Sequence, residues 1–459
     1  MAESRPTRND EPRRALGASP PVSAAPSPSP APADPGADVP RRLRVVAPAR
    51  DAGQGDQVIP PRDGDLRVEH LGPMRLELGG YVPEVTLAYR TWGRLNEVGD
   101  NAVLVLHALT GDSLAAGERG WWTPLIGPGK ALDTDRAFVV CANVLGGCQG
   151  STGPATTDPR NGAPYGASFP LLTIGDIVAA QRRLVERLGI TRLIPIGGSI
   201  GGFQSLEWAT RHADLVLASA PLAATGALGA QGIALHGEVG RQAIMADPDW
   251  RDGAYLAAGV FPARGLAIAR MAAMVTYHSR ESMDGRFGRR AATRPVRFPT
   301  IGPAYDVEGY LHHHGNALVG RFDANSYLYL TRAMDLYDVG RDGGEDAWID
   351  RLGGPVLLLG IRTDWLFPPD EIAALAGRIA ARGKAVTYVE LDSPNGHDAF
   401  LKDWDLMDAA VRPFVDAALA GVAPATVPAM AEETGRPAGT PLAGMPVAGS
   451  SDAREGAAP

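Results

Sequence analysis

The stretch Arg192–Leu193–Ile194–Pro195–Ile196–Gly197–Gly198–Ser199–Ile200–Gly201–Gly202 decides how the rest of the chain is interpreted. An apolar run ends in four glycines with one serine among them, and a helix-like segment follows. The pattern Gly197-x-Ser199-x-Gly201 fits a nucleophile elbow, a strand-to-helix turn too tight for bulkier flanking residues. Backbone N–H groups at the start of such a helix are unpaired and favour developing negative charge. We therefore predict that Ser199 is a catalytic nucleophile.

Length and composition indicate a large globular protein. A chain of 459 residues with 45% hydrophobic content predicts one large domain with insertions and tails, or two domains. Its net charge of −8 and its dispersed basic residues argue against nucleic acid as a partner. Two cysteines, Cys141 and Cys148, provide no disulfide framework. The sequence shows neither a signal-peptide pattern nor an apolar run of about 18 residues, so we expect a cytoplasmic protein without a membrane span.

Composition and periodicity divide the chain into five segments. Residues 1–62 and 422–459 are rich in Pro, Ala and Ser, and we expect both tails to be disordered. Strands alternate with helices over 63–223 and again over 346–421, which predicts an α/β core with a mostly parallel sheet. Residues 224–345 lose this alternation and are predicted to form a helical lid. The expected elements are strands at Arg67–Leu78, Val85–Thr91, Ala102–Leu106, Phe138–Ala142, Leu215–Ala220, Pro355–Leu359 and Ala385–Leu391, and a helix at Ile174–Leu188.

The partners of Ser199 are expected further along the chain, because a serine nucleophile needs a base and the base needs an orienting acid. In folds built around this elbow, the acid and then the histidine follow the serine in chain order. Asp364 stands just after one apolar strand, and His397 stands in a loop after the next. Alone, each would be interpreted as an ordinary surface residue. Their order after strands predicts the triad Ser199, Asp364 and His397.

Two further features concern charge. A tetrahedral intermediate needs an oxyanion hole, usually the N–H after the nucleophile and one from the loop after the third core strand. Ile200 supplies the first, Leu109 is the candidate for the second, and His107 is expected to order that loop. The run His312–His314 could suggest a metal, but consecutive helical side chains point about 100° apart and cannot converge on one ion. We predict no metal site.

Several motifs in fixed order are typical of one enzyme family. They are His107–Asp112, Gly120–Trp122, Leu125–Lys130, Asn143–Pro154, the elbow, Arg321–Tyr327, Asp364–Pro368 and Gly396–Phe400. Over about residues 65–420 the chain resembles the homoserine O-acetyltransferase family, acyltransferases of the α/β-hydrolase fold. It departs from the family at Ile200, where methionine is usual, at Gly175, where arginine is usual, and at His312–His314. These departures concern the identity of the substrates more than the reaction class.

The resemblance implies transfer of an acetyl group from acetyl-CoA to the hydroxyl of L-homoserine, in methionine biosynthesis, through an acyl-Ser199 intermediate. It implies that Arg270, Tyr277 and Asp398 bind the acceptor, since a guanidinium suits a carboxylate and a carboxylate suits an ammonium group. Acetyl-CoA is then a co-substrate, and no bound cofactor is expected. The resemblance also suggests a homodimer formed through the lid.

Several alternatives remain open on the sequence alone. Related enzymes use serine as acceptor or a succinyl group as donor. A carboxylesterase or thioesterase would use the same triad with water as acceptor, but the proposed Arg270 and Asp398 pocket argues against it. A catalytically idle scaffold would be expected to have lost a triad member, and none is missing.

Overall fold

The computed structural model describes residues 62–291 and 305–422. The two predicted disordered tails, 1–62 and 422–459, therefore lie outside the described residues except for one residue each. In the described part of the chain, no helix is long and apolar enough to cross a membrane. Cys141 is buried, Cys148 is half-buried, and both are free thiols.

Eight strands form one sheet at the centre of the fold. They are β1 (Arg67–Arg75), β2 (Tyr81–Trp92), β3 (Ala102–Leu106), β4 (Phe138–Ala142), β5 (Leu193–Gly198), β6 (Ala220–Leu222), β7 (Val356–Ile361) and β8 (Val386–Leu391). Their order across the sheet is β1-β2-β4-β3-β5-β6-β7-β8. β1 pairs with β2 and β2 with β4 in antiparallel fashion, and the other neighbours are parallel. The predicted α/β class with a mostly parallel sheet is confirmed.

Three predicted strands differ from the structure by three residues or more. β2 begins at Tyr81, ahead of the predicted start at Val85, so Tyr81–Pro83 belong to the strand and not to the predicted connection Gly79–Pro83. β1 ends three residues early because the chain turns at Leu76–Gly80, where the Leu76 N–H donates to the Gly80 carbonyl at 2.8 Å. β6 is a short strand at Ala220–Leu222 instead of Leu215–Ala220. In the predicted run, Val216 and Ser219 make only isolated bridges to the neighbouring strands.

Alternate residues of the central strands feed two separate cores. In β3, Leu104 and Leu106 pack into one core, which we call the first core, whereas Val103 and Val105 pack into the second core on the opposite face. All five β3 residues are buried, as expected of a parallel strand covered on both faces. A one-residue slip would exchange the two faces, so this apolar pattern fixes the register of the sheet.

The first two helices are positioned by specific residues at their starts. Helix α1 (Ile174–Arg187) begins with a capping box. The Thr173 N–H donates to Asp176 Oδ2 at 2.9 Å, and the Asp176 N–H donates to Thr173 Oγ1 at 3.1 Å. Helix α2 (Ile200–Arg211) begins directly after Ser199. It buries Phe203 completely against the first core.

The described residues between β6 and β7 are largely helical, and we call residues 224–291 and 305–345 the lid. The lid contains the π-helix Gly232–Val239 and the helices α3 (Gly240–Met245), α4 (Tyr255–Ala258), α5 (Ala263–Tyr277), α6 (Arg280–Arg286), α7 (Asp306–Val319) and α8 (Ala324–Asp335). Helix α9 (Glu345–Asp350) follows at its end. Buried Asp323 joins two lid helices, since it caps α8 through the Ser326 N–H at 2.7 Å and accepts the Tyr255 hydroxyl. This contact gives Asp323 a structural role.

Two helices after the lid complete the layers. Helix α10 (Pro369–Ala381) contributes Ile372 and Leu375 to the first core. Helix α11 (Trp404–Leu419) contributes Met407 and Phe414 to the second. Helices therefore cover both faces of the sheet, and its strand ends remain the place where loops can gather.

Candidate active site

Four loops that carry predicted site residues follow the carboxyl ends of β3, β5, β7 and β8. These strands are parallel, so their carboxyl ends lie at the same edge of the sheet. Leu109, Ser199, Asp364 and His397 are the residues concerned. The topology therefore brings them to one edge from distant parts of the chain.

Ser199 occupies the elbow that the sequence predicts. Its backbone has φ 61° and ψ −127°, a conformation that costs a residue with a side chain about 1–3 kcal/mol. The flanking positions need glycine because the backbone of β3 lies so close to them. A Cβ on Gly197 would lie 2.3 Å from the Leu106 carbonyl oxygen, and a Cβ on Gly201 would lie 2.2 Å from it. Ser199 itself is only 5% exposed. Strain at one residue, held by its surroundings, is typical of a functional position.

Asp364 and His397 form a buried pair. His397 Nδ1 lies 2.6 Å from Asp364 Oδ2. The other carboxylate oxygen, Oδ1, accepts the N–H groups of Leu366 at 2.9 Å and Phe367 at 3.0 Å. Both Asp364 oxygens are thus occupied, and the carboxylate can only accept the Nδ1–H of the imidazole. This arrangement leaves His397 Nε2 as the basic nitrogen.

Hydrogen bonds fix the two loops that carry this pair. Thr363 Oγ1 donates to the Ser393 carbonyl at 2.7 Å and accepts the Gly396 N–H at 3.0 Å. Gly396 has φ 66°, and a Cβ there would lie 2.5 Å from the Ser279 nitrogen of the lid. The segment Gly396–Leu401 is a 3₁₀-helix, although its composition predicts a loop. The backbone of the lid at Ser279 therefore lies against Gly396, the residue before His397.

Aromatic rings surround the imidazole of His397. Phe367 stacks on it with a centroid distance of 5.2 Å, and Phe400 meets it edge-on at 5.5 Å. A Cβ on Gly198, the residue before Ser199, would lie 2.5 Å from the same Phe400 ring. Gly198, the residue before Ser199, and His397 therefore both lie against the Phe400 ring. Within the described residues, His397 Nε2 is buried without a hydrogen-bond partner, so it is available to a hydroxyl or a substrate.

The two predicted oxyanion donors lie in the expected places. Leu109 is in the loop after β3 and Ile200 is the first residue of α2. Among the described residues, neither backbone N–H donates to a backbone carbonyl. His107 orders the loop, since its Nδ1 lies 2.8 Å from the Ala108 carbonyl and its Nε2 accepts the Val144 N–H at 3.1 Å. Burial lowers the pKa of His107, so it stays neutral in this structural role.

The three predicted acceptor residues converge from the lid and the 3₁₀-helix. The guanidinium carbon of Arg270 lies 5.4 Å from the centroid of the Tyr277 ring. That ring in turn lies 5.9 Å from His397. Burial and the charge of Asp398 raise the pKa of Tyr277 to about 12, although Arg270 opposes the shift. Lys402 Nζ lies 2.9 Å from Asp398 Oδ2, so this ion pair engages one oxygen of the Asp398 carboxylate.

Two residues of this region carry no role in the sequence prediction. Arg321 Nη1 donates to the Thr110 carbonyl at 2.6 Å, and Arg270 Nη1 lies 3.3 Å from Thr110 Oγ1. Thr110 follows Leu109 directly, so one residue joins the oxyanion loop to two lid arginines. The motifs that contain Thr110 and Arg321 are recognisable in the sequence, but their contact is not.

His236 is the other unpredicted neighbour. It lies in the π-helix of the lid, and its Nε2 is 2.9 Å from the Tyr277 hydroxyl. Burial, with the charges of His397 and Arg270, lowers the pKa of His236 to about 3. It is therefore a neutral partner that orients Tyr277. An irregular helical turn is frequent at functional sites, but the sequence pattern alone does not distinguish it from an ordinary helix.

The histidine run lies on helix α7, as the metal argument assumes. His312 and His313 are exposed, and His314 is half-buried beside Tyr310 with ring centroids 4.4 Å apart. In the part of the chain that the structure describes, no group of three His, Cys, Asp or Glu side chains could hold a metal ion.

Comparisons with known proteins place the chain among hydrolase-fold acyltransferases. A family model described as the alpha/beta hydrolase fold matches residues 101–403. A homoserine O-acetyltransferase of Symbiobacterium thermophilum is 50% identical over 355 residues, which cover 75% of this chain and 92% of that protein. A homoserine O-succinyltransferase of Nocardioides sp. is 48% identical over 336 residues, covering 72% and 90% of the two chains.

A solved structure gives the same result at the level of the fold. The crystal structure of homoserine O-acetyltransferase from Bacillus anthracis matches with a TM-score of 0.73 and 25% sequence identity. The match covers 78% of this chain and 98% of that one. The family model, the long and close relatives and the elbow geometry agree. This chain belongs to the homoserine O-acetyltransferase family of the α/β-hydrolase fold.

Proposed function

We propose that this enzyme transfers an acetyl group from acetyl-CoA to the hydroxyl of L-homoserine, with Ser199 as the covalent carrier. One observation carries the proposal. His397 is held by Asp364 at 2.6 Å through Nδ1, while its Nε2 is unpartnered within the described residues beside the elbow of Ser199. A nucleophile, a base and an orienting acid in this arrangement support acyl transfer through an acyl-enzyme.

The first half-reaction loads the serine. Ser199 Oγ attacks the thioester carbonyl carbon while His397 Nε2 takes the hydroxyl proton. The carbonyl oxygen becomes an oxyanion, and the N–H groups of Leu109 and Ile200 stabilise it. The C–S bond then breaks, His397 returns the proton to the sulfur, and coenzyme A leaves as a thiol. An acetyl ester remains on Ser199.

The second half-reaction transfers the acetyl group from Ser199 to homoserine. The homoserine hydroxyl gives its proton to His397 Nε2, and its oxygen attacks the ester carbonyl carbon. The same two N–H groups hold the second oxyanion. The bond to Ser199 Oγ breaks, and His397 returns the proton to that oxygen. O-Acetylhomoserine leaves and the free enzyme is regenerated, so no bound cofactor is needed beyond the acetyl-CoA co-substrate.

Recognition of the acceptor is assigned to the lid and to the 3₁₀-helix Gly396–Leu401. Arg270 would hold the acceptor carboxylate, Asp398 its ammonium group, and Tyr277 would fill the space between Arg270 and His397. This pocket for both charged ends of an amino acid favours an amino-acid hydroxyl over water as acceptor. Acetylation turns that hydroxyl into a leaving group, and we place the reaction in methionine biosynthesis and in the cytoplasm, where acyl-CoA is available.

We also propose a homodimer formed through the lid. Helix α5 exposes Ile268 and Val275, which are 51% and 42% exposed, and half-buried Met271 lies between them. Their spacing of three and four residues makes an apolar stripe on one helix face. Light scattering should give twice the mass of one chain, and Ile268→Arg should give one chain mass. A monomeric wild type would contradict the proposal.

A substrate panel tests the proposed function. Steady-state turnover is measured with homoserine, serine and water as acceptors, each against acetyl-CoA and succinyl-CoA. We expect the highest kcat/KM for homoserine with acetyl-CoA and slow hydrolysis without an acceptor. Preference for succinyl-CoA or for serine would assign the enzyme a different donor or acceptor within the same family. Hydrolysis as fast as transfer would identify the enzyme as an esterase and overturn the proposal.

A further inference from the structure

A cluster of cationic and aromatic side chains lies outside the proposed catalytic residues, where α6 ends beside α7. The guanidinium carbon of Arg286 lies 4.4 Å from the centroid of the Tyr310 ring and 5.0 Å from that of Phe287. The rings of Phe287 and Tyr310 are 4.9 Å apart, and His314 is 4.4 Å from Tyr310. We call Arg286, Phe287, Tyr310 and His314 the lid ledge.

The lid ledge is continuous with the proposed acceptor site. The Tyr310 hydroxyl lies 2.7 Å from Nε2 of His278, the residue after Tyr277. Burial and then the charge of Arg270 lower the pKa of His314, and Asp398 opposes the shift. His314 is therefore close enough to both acceptor residues to sense their charge. The lid ledge therefore adjoins the residues proposed to bind the acceptor.

The charge of the ledge differs from that of the whole chain. The chain carries a net charge of −8, yet Arg286 is exposed and, among the described residues, no carboxylate lies within ion-pair distance of it. Of the two arginines that follow, Arg289 donates to the Tyr305 hydroxyl at 3.0 Å and Arg290 is paired with Asp306 at 3.4 Å. A guanidinium that has no carboxylate partner among the described residues and lies against aromatic rings suits a ligand that combines phosphate groups with a planar base.

An opening of about 860 Å³ at the start of α6 offers a contrast to the lid ledge. It is lined by Arg280 together with two carboxylates, Glu281 and Asp284, and by Trp365. Arg280 is already paired with Asp284 at 3.3 Å. Because two carboxylates would repel a polyphosphate, this cavity is the less suitable of the two for an anionic ligand.

We propose that the lid ledge binds the phosphate-bearing adenosine end of the acyl-CoA donor, with Arg286 facing the phosphates and Tyr310 and His314 providing the surface for the base. The inference rests on the proposed function, because it takes an acyl-CoA as the donor. It adds a binding site on α6 and α7 that the reaction at Ser199 does not require chemically. The histidine run thereby acquires a role through His314.

The test compares two donors in one variant. Arg286→Gln and the wild type are mixed with acetyl-CoA or with S-acetyl-N-acetylcysteamine, a thioester that ends before the phosphates, and the rate of Ser199 acylation is measured. We expect the concentration of acetyl-CoA needed for half-maximal acylation to rise on the order of ten- to a hundred-fold, as for loss of a charge-assisted hydrogen bond. Acylation by the truncated donor should not change. The wild-type preference for acetyl-CoA should weaken with salt.

Arg280→Gln is the matched control, since Arg280 is an exposed arginine of the same helix that lines the opening at the start of α6. It should behave as the wild type with both donors. Equal losses with both donors in Arg286→Gln, or a loss specific to acetyl-CoA in Arg280→Gln instead, would overturn the ledge assignment. If neither donor acylates wild-type Ser199, the proposed function itself fails, and the ledge assignment fails with it.

Discussion

At the scale of single residues, the acceptor site depends on how one guanidinium is held. Arg270 lies over Tyr277 and within 3.3 Å of the Thr110 hydroxyl. These contacts come from the lid and from the loop after β3. They orient a planar group whose two-point contact with a carboxylate an ammonium group cannot reproduce.

Arg270→Lys should therefore impair acceptor recognition and leave the first half-reaction intact. Losing one charge-assisted hydrogen bond should cost about 1.5–3 kcal/mol, on the order of a ten- to a hundred-fold loss in kcat/KM for homoserine. The acetyl-enzyme burst is measured in the same variant and should keep its normal rate, because no acceptor takes part in it. A slowed burst with unchanged homoserine dependence would place Arg270 on the donor side.

Thr110 should act through Arg270 as a positioning residue. Thr110→Val removes the hydroxyl but keeps the shape of the side chain and the carbonyl that Arg321 binds. We expect a several-fold higher KM for homoserine with an unchanged burst, and recovery in Thr110→Ser. If the valine variant slows acylation and serine does not restore it, the hydroxyl has a different role.

At the scale of elements, the elbow shows where glycine is indispensable. A Cβ on Gly201 would lie 2.2 Å from a backbone oxygen of β3, which cannot move without disturbing the strand. Gly377, in the exposed middle of α10, has nothing within 4 Å of its Cβ position. The same substitution should therefore have opposite effects at the two positions.

Gly201→Ala should lower the free energy of unfolding by about 3 kcal/mol or more, whereas Gly377→Ala should raise it by about 0.5–1 kcal/mol. Urea denaturation of both variants beside the wild type measures the difference. Equal stabilities of the two variants would show that the elbow can relax, and the account of its geometry would be wrong.

Local sequence predicts most of the elements and the positions of the proposed triad. Ser199, Asp364 and His397 each follow an apolar run, and the runs become parallel strands whose ends share one edge. What local sequence does not contain is the contact between distant segments. Thr110 and Arg321 are 211 positions apart, so their hydrogen bond depends on how the lid settles on the sheet.

One departure from the family pattern becomes understandable at this scale. A Cβ on Gly175 would lie 2.5 Å from Glu77 and 2.8 Å from the guanidinium of Arg211. Arg211 pairs with Glu77 at 2.5 Å and with Glu207 at 2.8 Å. A cation from α2 thus lies beside Gly175 at the start of α1, and a side chain at this position would have to displace Arg211 or Glu77.

At the scale of the whole molecule, half-buried His212 and buried His236 should make the protein sensitive to acid. Burial lowers the pKa of His212 to about 4 and that of His236 to about 3. An unfolded chain takes up these protons near pH 6.5, but the folded chain does not. Above pH 6.5 these histidines are neutral in both states and do not change the free energy of unfolding. As the pH falls from 6.5 toward their folded pKa values, protons bind to the unfolded chain only, and the free energy of unfolding decreases.

Each such histidine adds a slope of at most about 1.4 kcal/mol per pH unit. Between pH 7 and 5.5, His212→Gln should reduce the pH dependence of the free energy of unfolding measured with urea. His313→Gln removes an exposed histidine and should leave the dependence unchanged. A stability independent of pH in this range for the wild type would contradict the expectation.

The most direct measurement of the central claim is the mass of the protein after mixing with acetyl-CoA and no acceptor. The account predicts one acetyl group per chain on the peptide that contains Ser199, its removal when homoserine is added, and no adduct in folded Ser199→Ala. Double-reciprocal plots at several homoserine concentrations should then be parallel, as in a ping-pong mechanism. Intersecting lines with no adduct would show direct transfer between the substrates and contradict Ser199 as the carrier.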